Sequence, residues 1–307
     1  MPHPIDPHGC ARKIIDVHGP AGVEWLARLP ALVDEWAARW SLVVLPPFAE
    51  LSYNYVAPVI GPDGAALVMK AGVPHPELWS EIDALRLFDG RGIARLIDAD
   101  PAGGALLLER VVPGDSLKAV GNDDERVSVA AEVMRVLWRP LPADHPFRTM
   151  SYLARGLERL RATFDGGYGP FPPAQIDRAT ALWRELTAGA TPTMLIHGDM
   201  NPGNILRSGR GGWLAIDPKG YAGHPLFDAA TFLNDPPDGL SAAELRRTQE
   251  RRVALLAEAL GAPRDAVLAW AEAHAVLSGW WSYEDHGRGW EPALALAEMY
   301  EVIQRSL

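Results

Sequence analysis

The chain has one cysteine, Cys10, in 307 residues. A lone thiol excludes an intrachain disulfide and any zinc site built on several cysteines. It fits a reducing compartment, and the cytoplasm is the expected location. Lysine is nearly as scarce, with only Lys13, Lys70, Lys118 and Lys219 present. Basic charge is in deficit overall: 39 acidic against 29 basic residues give a net charge of −10. That balance argues against a nucleic-acid partner. No apolar run approaches the roughly 18 residues of a membrane span, so no membrane partner is expected. The opening residues lack the basic patch and apolar stretch of a secretory leader. A glycine-rich phosphate loop of the Gly-x-Gly-x-x-Gly kind is also missing.

What is present is ordinary globular composition, 48% hydrophobic and 22% charged, at a length that supports a substantial core. Residues 21–40 place Leu26, Leu29, Leu32, Val33, Trp36 and Trp40 at helical spacing. Residues 41–70 change to short apolar runs divided by Gly61-Pro62-Asp63-Gly64, the pattern of a hairpin-rich sheet. A helix is predicted over 76–88, a strand over 93–97 and another over 105–108. From Asp123 onward the period is mostly helical, interrupted by a strand, loop and hairpin at 193–217. The predicted organisation is an N-terminal lobe over 1–108 that begins with an irregular arm, a hinge over 109–114, and a helical lobe over 115–307.

The segment Met194–Asp217, MLIHGDMNPGNILRSGRGGWLAID, carries the chemistry. An apolar strand delivers His197-Gly198-Asp199 into a loop, and Asn204 follows Asp199 with four residues between. A hairpin then turns at the glycine-rich tip 208–212 and ends at Asp217. Pairing Asn204 with Asp217 centres that turn between Arg210 and Gly211 and sets the two side chains opposite each other, near Asp199. Oxygen ligands on Asn204 and Asp217 suit Mg²⁺, and Asp199 suits a base that accepts the proton of an attacking hydroxyl. That combination points to phosphoryl transfer. His197 reads as a loop-holding residue, and Asp228 as a helix-start acid or a brace for the loop.

Phosphoryl transfer requires a cation for the nucleotide phosphates. Lys70 ends the second strand of the Pro62-Asp63 hairpin, where a long cation can pair with phosphate oxygens. Glu81 falls within the apolar stripe of the following helix, and a charge on a buried face needs a partner, which Lys70 supplies. Where a phosphate loop should lie, Ser52 and Tyr53 offer hydroxyl and backbone donors. The connector offers the backbone of Glu109 and Val111 to an adenine ring.

Together the segments Leu67–Lys70, Pro74–Leu85, Gly90–Asp98, Leu106–Gly114, His197–Asn204, Trp213–Gly220 and Trp281–Gly287 resemble the aminoglycoside phosphotransferase family, in particular its streptomycin 6-phosphotransferase and hydroxyurea phosphotransferase group. The resemblance spans about residues 40 to 290. It implies an α+β, two-lobed protein-kinase-like fold with a small β-sheet lobe and a larger helical lobe. It also implies ATP and Mg²⁺ as cofactors and a small-molecule acceptor such as an aminoglycoside or hydroxyurea. It carries Asp199 over as base, Asn204 and Asp217 as metal ligands, and Lys70 with Glu81 as the phosphate-binding pair. Trp138 stands where many relatives have histidine. For the acceptor, Asp235, Glu284 and Asp285 offer acids, with Trp280 or Trp281 as an apolar wall. Two further readings stay open: a kinase of an endogenous alcohol or sugar, and a non-catalytic nucleotide binder of the same fold. Nothing in the sequence bears on oligomeric state.

Overall fold

A computed structural model describes residues 9–49, 51–188 and 193–307. It divides into two units, Met1–Gly114 and Asp115–Leu307.

In the first unit, helices α1 (Cys10–His18) and α2 (Pro20–Arg39) precede strands β1 (Val43–Val44), β2 (Tyr55–Ile60) and β3 (Ala66–Ala71). Helix α3 (Pro76–Phe88) follows, then β4 (Leu96–Asp100) and β5 (Ala105–Glu109). The five strands form one antiparallel sheet in the order β1-β2-β3-β5-β4. Register decides what each face carries. Met69 lies opposite Ala57 and Leu107, and Ala71 opposite Tyr55 and Ala105. These residues pack with Cys10, Ile14, Trp25, Leu29, Val33 and Trp36 of α1 and α2 into one core. Strand side chains alternate, so Lys70, paired with Val56 and Leu106, points to the opposite face.

Two expectations are corrected in this unit. Residues 10–18 are helical rather than an irregular arm, and residues 1–8 lie outside the described residues. The α1 period places Cys10 and Ile14 on one buried face. The strand expected over 93–97 begins at Leu96, because β4 takes its register from β5 through a bulge between Leu96 and Asp98.

The chain passes between units within β6 (Pro113–Ser116). The second unit contains helices α4 (Asp123–Leu137), α5 (Met150–Thr163), α6 (Pro173–Thr187), α7 (Leu226–Leu233), α8 (Ala242–Leu260), α9 (Arg264–His286) and α10 (Glu291–Gln304). Its short strands are β7 (Arg139–Pro140), β8 (Arg148–Thr149), β9 (Met194–Ile196), β10 (Ile205–Ser208), β11 (Gly212–Ala215) and β12 (Tyr221–Gly223). The order β7-β9-β12-β8 forms a small sheet that delivers the loop after Ile196. Helix α9 packs against α5, α6, α7, α8 and α10. Every residue of α7 is buried, including Asp228 and Thr231. Among the described residues no helix is long and apolar enough to cross a membrane.

Leu29 is 1% exposed between the two N-terminal helices and the sheet. Leu29→Ala is expected to destabilise this unit by about 2–5 kcal/mol, the cost of a buried cavity. Urea unfolding followed by tryptophan fluorescence measures it, and a midpoint equal to wild type would contradict the assigned core.

Candidate active site

The loop after β9 is anchored from below by one carboxylate. Asp228 stands in the first turn of α7 and is fully buried. Its Oδ2 accepts the His197 N–H at 3.0 Å, and its Oδ1 accepts the Gly198 N–H at 2.7 Å. Trp138 donates Nε1–H to Oδ2 at 2.9 Å. Trp138 thus presents an N–H donor to the brace. Burial pushes the Asp228 carboxyl above its ordinary range, while His197 and these three donors pull it back. One turn further along α7, Thr231 Oγ1 accepts the Met200 N–H at 2.8 Å.

His197 is wholly buried, and its polar atoms serve the backbone. Nε2–H donates to Ile216 O at 2.8 Å, and Nδ1 accepts the Asp199 N–H at 3.2 Å. Its carbonyl accepts the N–H groups of Lys219 and Gly220. Both ring nitrogens are thereby committed to holding the loop, with none left to carry a proton elsewhere.

Asp199 emerges half-buried from this support. Asn201 Nδ2 donates to its Oδ1 at 3.0 Å, and Asn204 Nδ2 donates to its Oδ2 at 3.2 Å and to its backbone oxygen at 2.9 Å. A carboxylate has about four lone-pair sites, so two amide donors orient it and leave capacity for an incoming hydroxyl. Asn201 was not anticipated from sequence. Its signal is the Asn-Pro step, where Asn201 Oδ1 also accepts the Gly203 N–H at 2.9 Å in a side-chain turn.

The hairpin register differs by one residue from the expected one. Ile205 pairs with Ala215 and Ser208 with Gly212, around a three-residue tip at 209–211. Asn204 therefore faces Ile216, whose N–H it accepts at 2.9 Å, and Asp217 is the next residue. An odd tip length centres the turn on Arg210, whereas opposing Asn204 to Asp217 requires an even one. Asp217 has φ of 59°, a left-handed conformation that Asp tolerates better than most residues. There the chain turns back so that Lys219 and Gly220 reach His197.

These atoms fit a hard divalent cation. The Asn204 nitrogen is bound to Asp199, which leaves its oxygen as the atom that could ligate, and Asp217, which follows the facing residue Ile216, could add a carboxylate. Among the described residues no group of three or more His, Cys, Asp and Glu side chains gathers. A site with one carboxylate and one amide suits Mg²⁺, which keeps waters and takes phosphate oxygens for the rest.

In the other unit, Lys70 Nζ lies 2.7 and 2.9 Å from the two Glu81 oxygens. Both side chains are buried. Removing either partner would leave an uncompensated buried charge, at a cost of about 3–5 kcal/mol. Helix α3 aims Glu81 inward because its start is fixed by Pro76 in the first turn and by His75, whose Nδ1 accepts the Glu77 N–H at 3.4 Å. Ser52 and Tyr53 lie exposed in the bends before β2, and Glu50 lies outside the described residues. The Glu109 N–H is donated to Arg95 O at 2.9 Å, so that donor belongs to the sheet rather than to a ligand. Val111, two residues further on, is buried.

The acceptor-side residues are not gathered as an open acidic patch. Glu284 makes a bidentate pair with Arg159 at 2.8 Å for each bond. Asp285 contributes to the field on the same guanidinium. Asp235 Oδ2 is 2.8 Å from Lys118 Nζ. Trp280 is 1% exposed within an aromatic cluster of Phe164, Phe171 and Tyr283, so it lines no opening. Trp281 is half-buried and meets His274 edge-on at 6.0 Å.

A profile of the aminoglycoside/hydroxyurea antibiotic resistance kinases matches residues 39–286. The chain belongs to that family. Streptomycin 6-kinase of Streptomyces glaucescens is 32% identical over 94% of this chain and 94% of its own. Hydroxyurea phosphotransferase of Kitasatospora aureofaciens is 33% identical over 87% of this chain and 77% of its own. Among solved structures, the choline kinase LicA of Streptococcus pneumoniae has a TM-score of 0.65 at 13% identity, covering 91% of this chain and 100% of that one. The aminoglycoside phosphotransferase APH(4)-Ia, in complex with ADP and hygromycin B, has a TM-score of 0.58 at 13% identity over 89% of this chain and 97% of its own. As a member of this antibiotic-resistance kinase family the chain has the protein-kinase-like fold and is a small-molecule phosphotransferase.

His274, buried and within the field of Asp199, has its pKa lowered by burial from 6.5 to about 4, with the Asp199 charge opposing the shift. Between those values the unfolded chain binds the extra proton, so His274 contributes stability at neutral pH that is lost as pH falls from 6.5 through 4. The difference is about 3 kcal/mol. Asp228, shifted upward, acts in the opposite sense. Urea unfolding across this window should show wild type losing more stability than His274→Leu, and parallel curves would contradict a neutral His274.

Proposed function

We propose that this phosphotransferase moves the γ-phosphoryl group of ATP to a hydroxyl of a small antibiotic of the streptomycin or hydroxyurea kind, with Mg²⁺ bound. The observation that carries this is the Asp199 carboxylate, oriented by Asn201 and Asn204 on a loop whose backbone is held by Asp228. In this reading Asp199 accepts the proton of the attacking hydroxyl and directs its lone pair at the phosphorus. Asn204 and Asp217 would hold the cation, which supplies charge neutralisation on the phosphate oxygens. Lys70, kept extended by Glu81, pairs with phosphate oxygens of the nucleotide. The Val111 backbone and the exposed Ser52 and Tyr53 are candidates for contacts with the rest of the nucleotide. On the acceptor side, Trp281 offers an apolar wall.

The pairing of Asp235 with Lys118 and of Glu284 with Arg159 favours a second reading within the same chemistry. A polycation would have to displace these basic side chains, whereas a neutral hydroxyl compound would not. Hydroxyurea or an endogenous alcohol fits that balance better than a multiply charged aminoglycoside.

Mg²⁺-dependent ATP consumption with and without streptomycin or hydroxyurea tests the proposal. One compound should stimulate turnover, and chelation of the metal should abolish it. Asp199→Asn should lower kcat by about a hundredfold or more while nucleotide binding persists, the usual scale for a lost general base. Lys70→Ala should weaken nucleotide binding instead. Absence of stimulation by either compound, with ATP still bound, would remove the resistance substrates and leave the endogenous-alcohol or non-catalytic readings.

A further inference from the structure

The polar stripe of α7 continues past the two residues that hold the loop. Asp228 and Thr231 are followed at the same spacing by Asn234, the residue that ends the helix. Asn234 Nδ2 lies 3.1 Å from Ala271 O and 2.7 Å from His274 Nδ1, both on α9. A carbonyl oxygen can only accept, so the Asn234 atom beside it is the amide nitrogen, and that same nitrogen donates its other hydrogen to Nδ1. The His274 ring proton therefore sits on Nε2. A protonated ring would set Nδ1–H against the amide N–H, so the Asn234 contact also selects the neutral form.

Nε2 has no hydrogen-bond partner among the described residues, and it is not one of the enclosed polar atoms: the 8% of His274 that remains exposed includes it. The ring is held edge-on by Phe227 at 5.1 Å and Trp281 at 6.0 Å. It lies within the field of Asp199. Asn234 Oδ1 is enclosed without a donor, so the Asn234–His274 network is incomplete as it stands. One helix face thus organises two things: the loop that carries the base and a neutral donor in the base's neighbourhood.

We propose that His274 is an acceptor-binding residue, its Nε2–H aligned by Asn234 to donate to an oxygen of the small molecule whose hydroxyl Asp199 deprotonates. This rests on the assignment of Asp199 as base of a small-molecule phosphotransferase. A neutral N–H donates to a hydroxyl, ether or carbonyl oxygen at that position and repels an ammonium or guanidinium group. The acceptor therefore presents a neutral oxygen beside its reacting hydroxyl, as a polyol ring or a urea-type carbonyl does. No bond to His274 forms or breaks.

Three variants test this in the full chain. His274→Leu removes the donor. His274→Gln returns an amide N–H near the position of Nε2. Asn234→Asp sets a carboxylate against Nδ1, draws the ring proton there and converts Nε2 to an acceptor. Nitrogen-15 NMR of the histidine rings should show the Nε2–H tautomer for His274 in wild type and Nδ1–H in Asn234→Asp. With whichever of streptomycin or hydroxyurea is phosphorylated, acceptor KM should rise about tenfold or more in His274→Leu and Asn234→Asp, the scale of one lost hydrogen bond. His274→Gln should recover most of that loss, and nucleotide KM should stay within about twofold throughout. An Nδ1–H tautomer in wild type would overturn the proposal. So would an unchanged acceptor KM in His274→Leu, or a joint rise of both KM values that glutamine does not relieve, which is the mark of a structural role. A wild type that phosphorylates neither compound overturns the proposed function and the acceptor role together, whereas a working wild type with an indifferent His274→Leu overturns His274 alone.

Discussion

A carboxylate with no access to water has to find donors inside the protein, and at Asp228 that requirement organises the second unit. Its oxygens take two backbone N–H groups from consecutive residues, His197 and Gly198, and an indole N–H from Trp138. Two N–H groups aimed at one carboxylate leave the peptide between them little freedom. The next residue is Asp199. Asp199 is thus positioned by main chain, and main chain is positioned by a buried carboxylate. His197 extends the same logic across the hairpin, where it ties the loop to Ile216, Lys219 and Gly220 on either side of Asp217.

The first unit applies a similar constraint to the opposite charge. Lys70 lies on the sheet face turned away from α1 and α2, in line with its strand alternation, and Glu81 reaches it from α3. Each would be costly alone at this burial. Together they keep a long, flexible ammonium in one place. In both units a polar group is fixed by a second, buried polar group.

Periodicity made the elements legible. Helical spacing located α2 and α3, apolar runs broken by Gly61–Gly64 located the β2–β3 hairpin, and the position of Glu81 within a hydrophobic stripe identified its need for a cation. The Asp199, Asn204 and Asp217 spacing pointed to phosphoryl transfer, and Asn204 does donate to the Asp199 carboxylate. Short-range turn geometry was less legible: a turn centred on Arg210 rather than between Arg210 and Gly211 moved the hairpin register by one, and only the structure shows that Asn204 faces Ile216. Contacts between distant elements were not legible at all. Nothing in the residues around Trp138 announces a partner 90 positions away, and His274 reads as one more residue of a buried helix until Asn234 is seen against it. The partner of Glu284 was not legible for the same reason, since Arg159 comes from α5.

The central claim is that Asp228 places the base by holding the peptide before it. Asp228→Asn tests it most directly, because asparagine keeps the size but turns one of the two accepting atoms into a donor facing an N–H. Turnover of the phosphorylated acceptor should fall about a hundredfold or more, the scale of an ångström-level misplacement, while nucleotide affinity measured by calorimetry stays close to wild type. A kcat near the wild-type value in a folded Asp228→Asn protein would contradict the account.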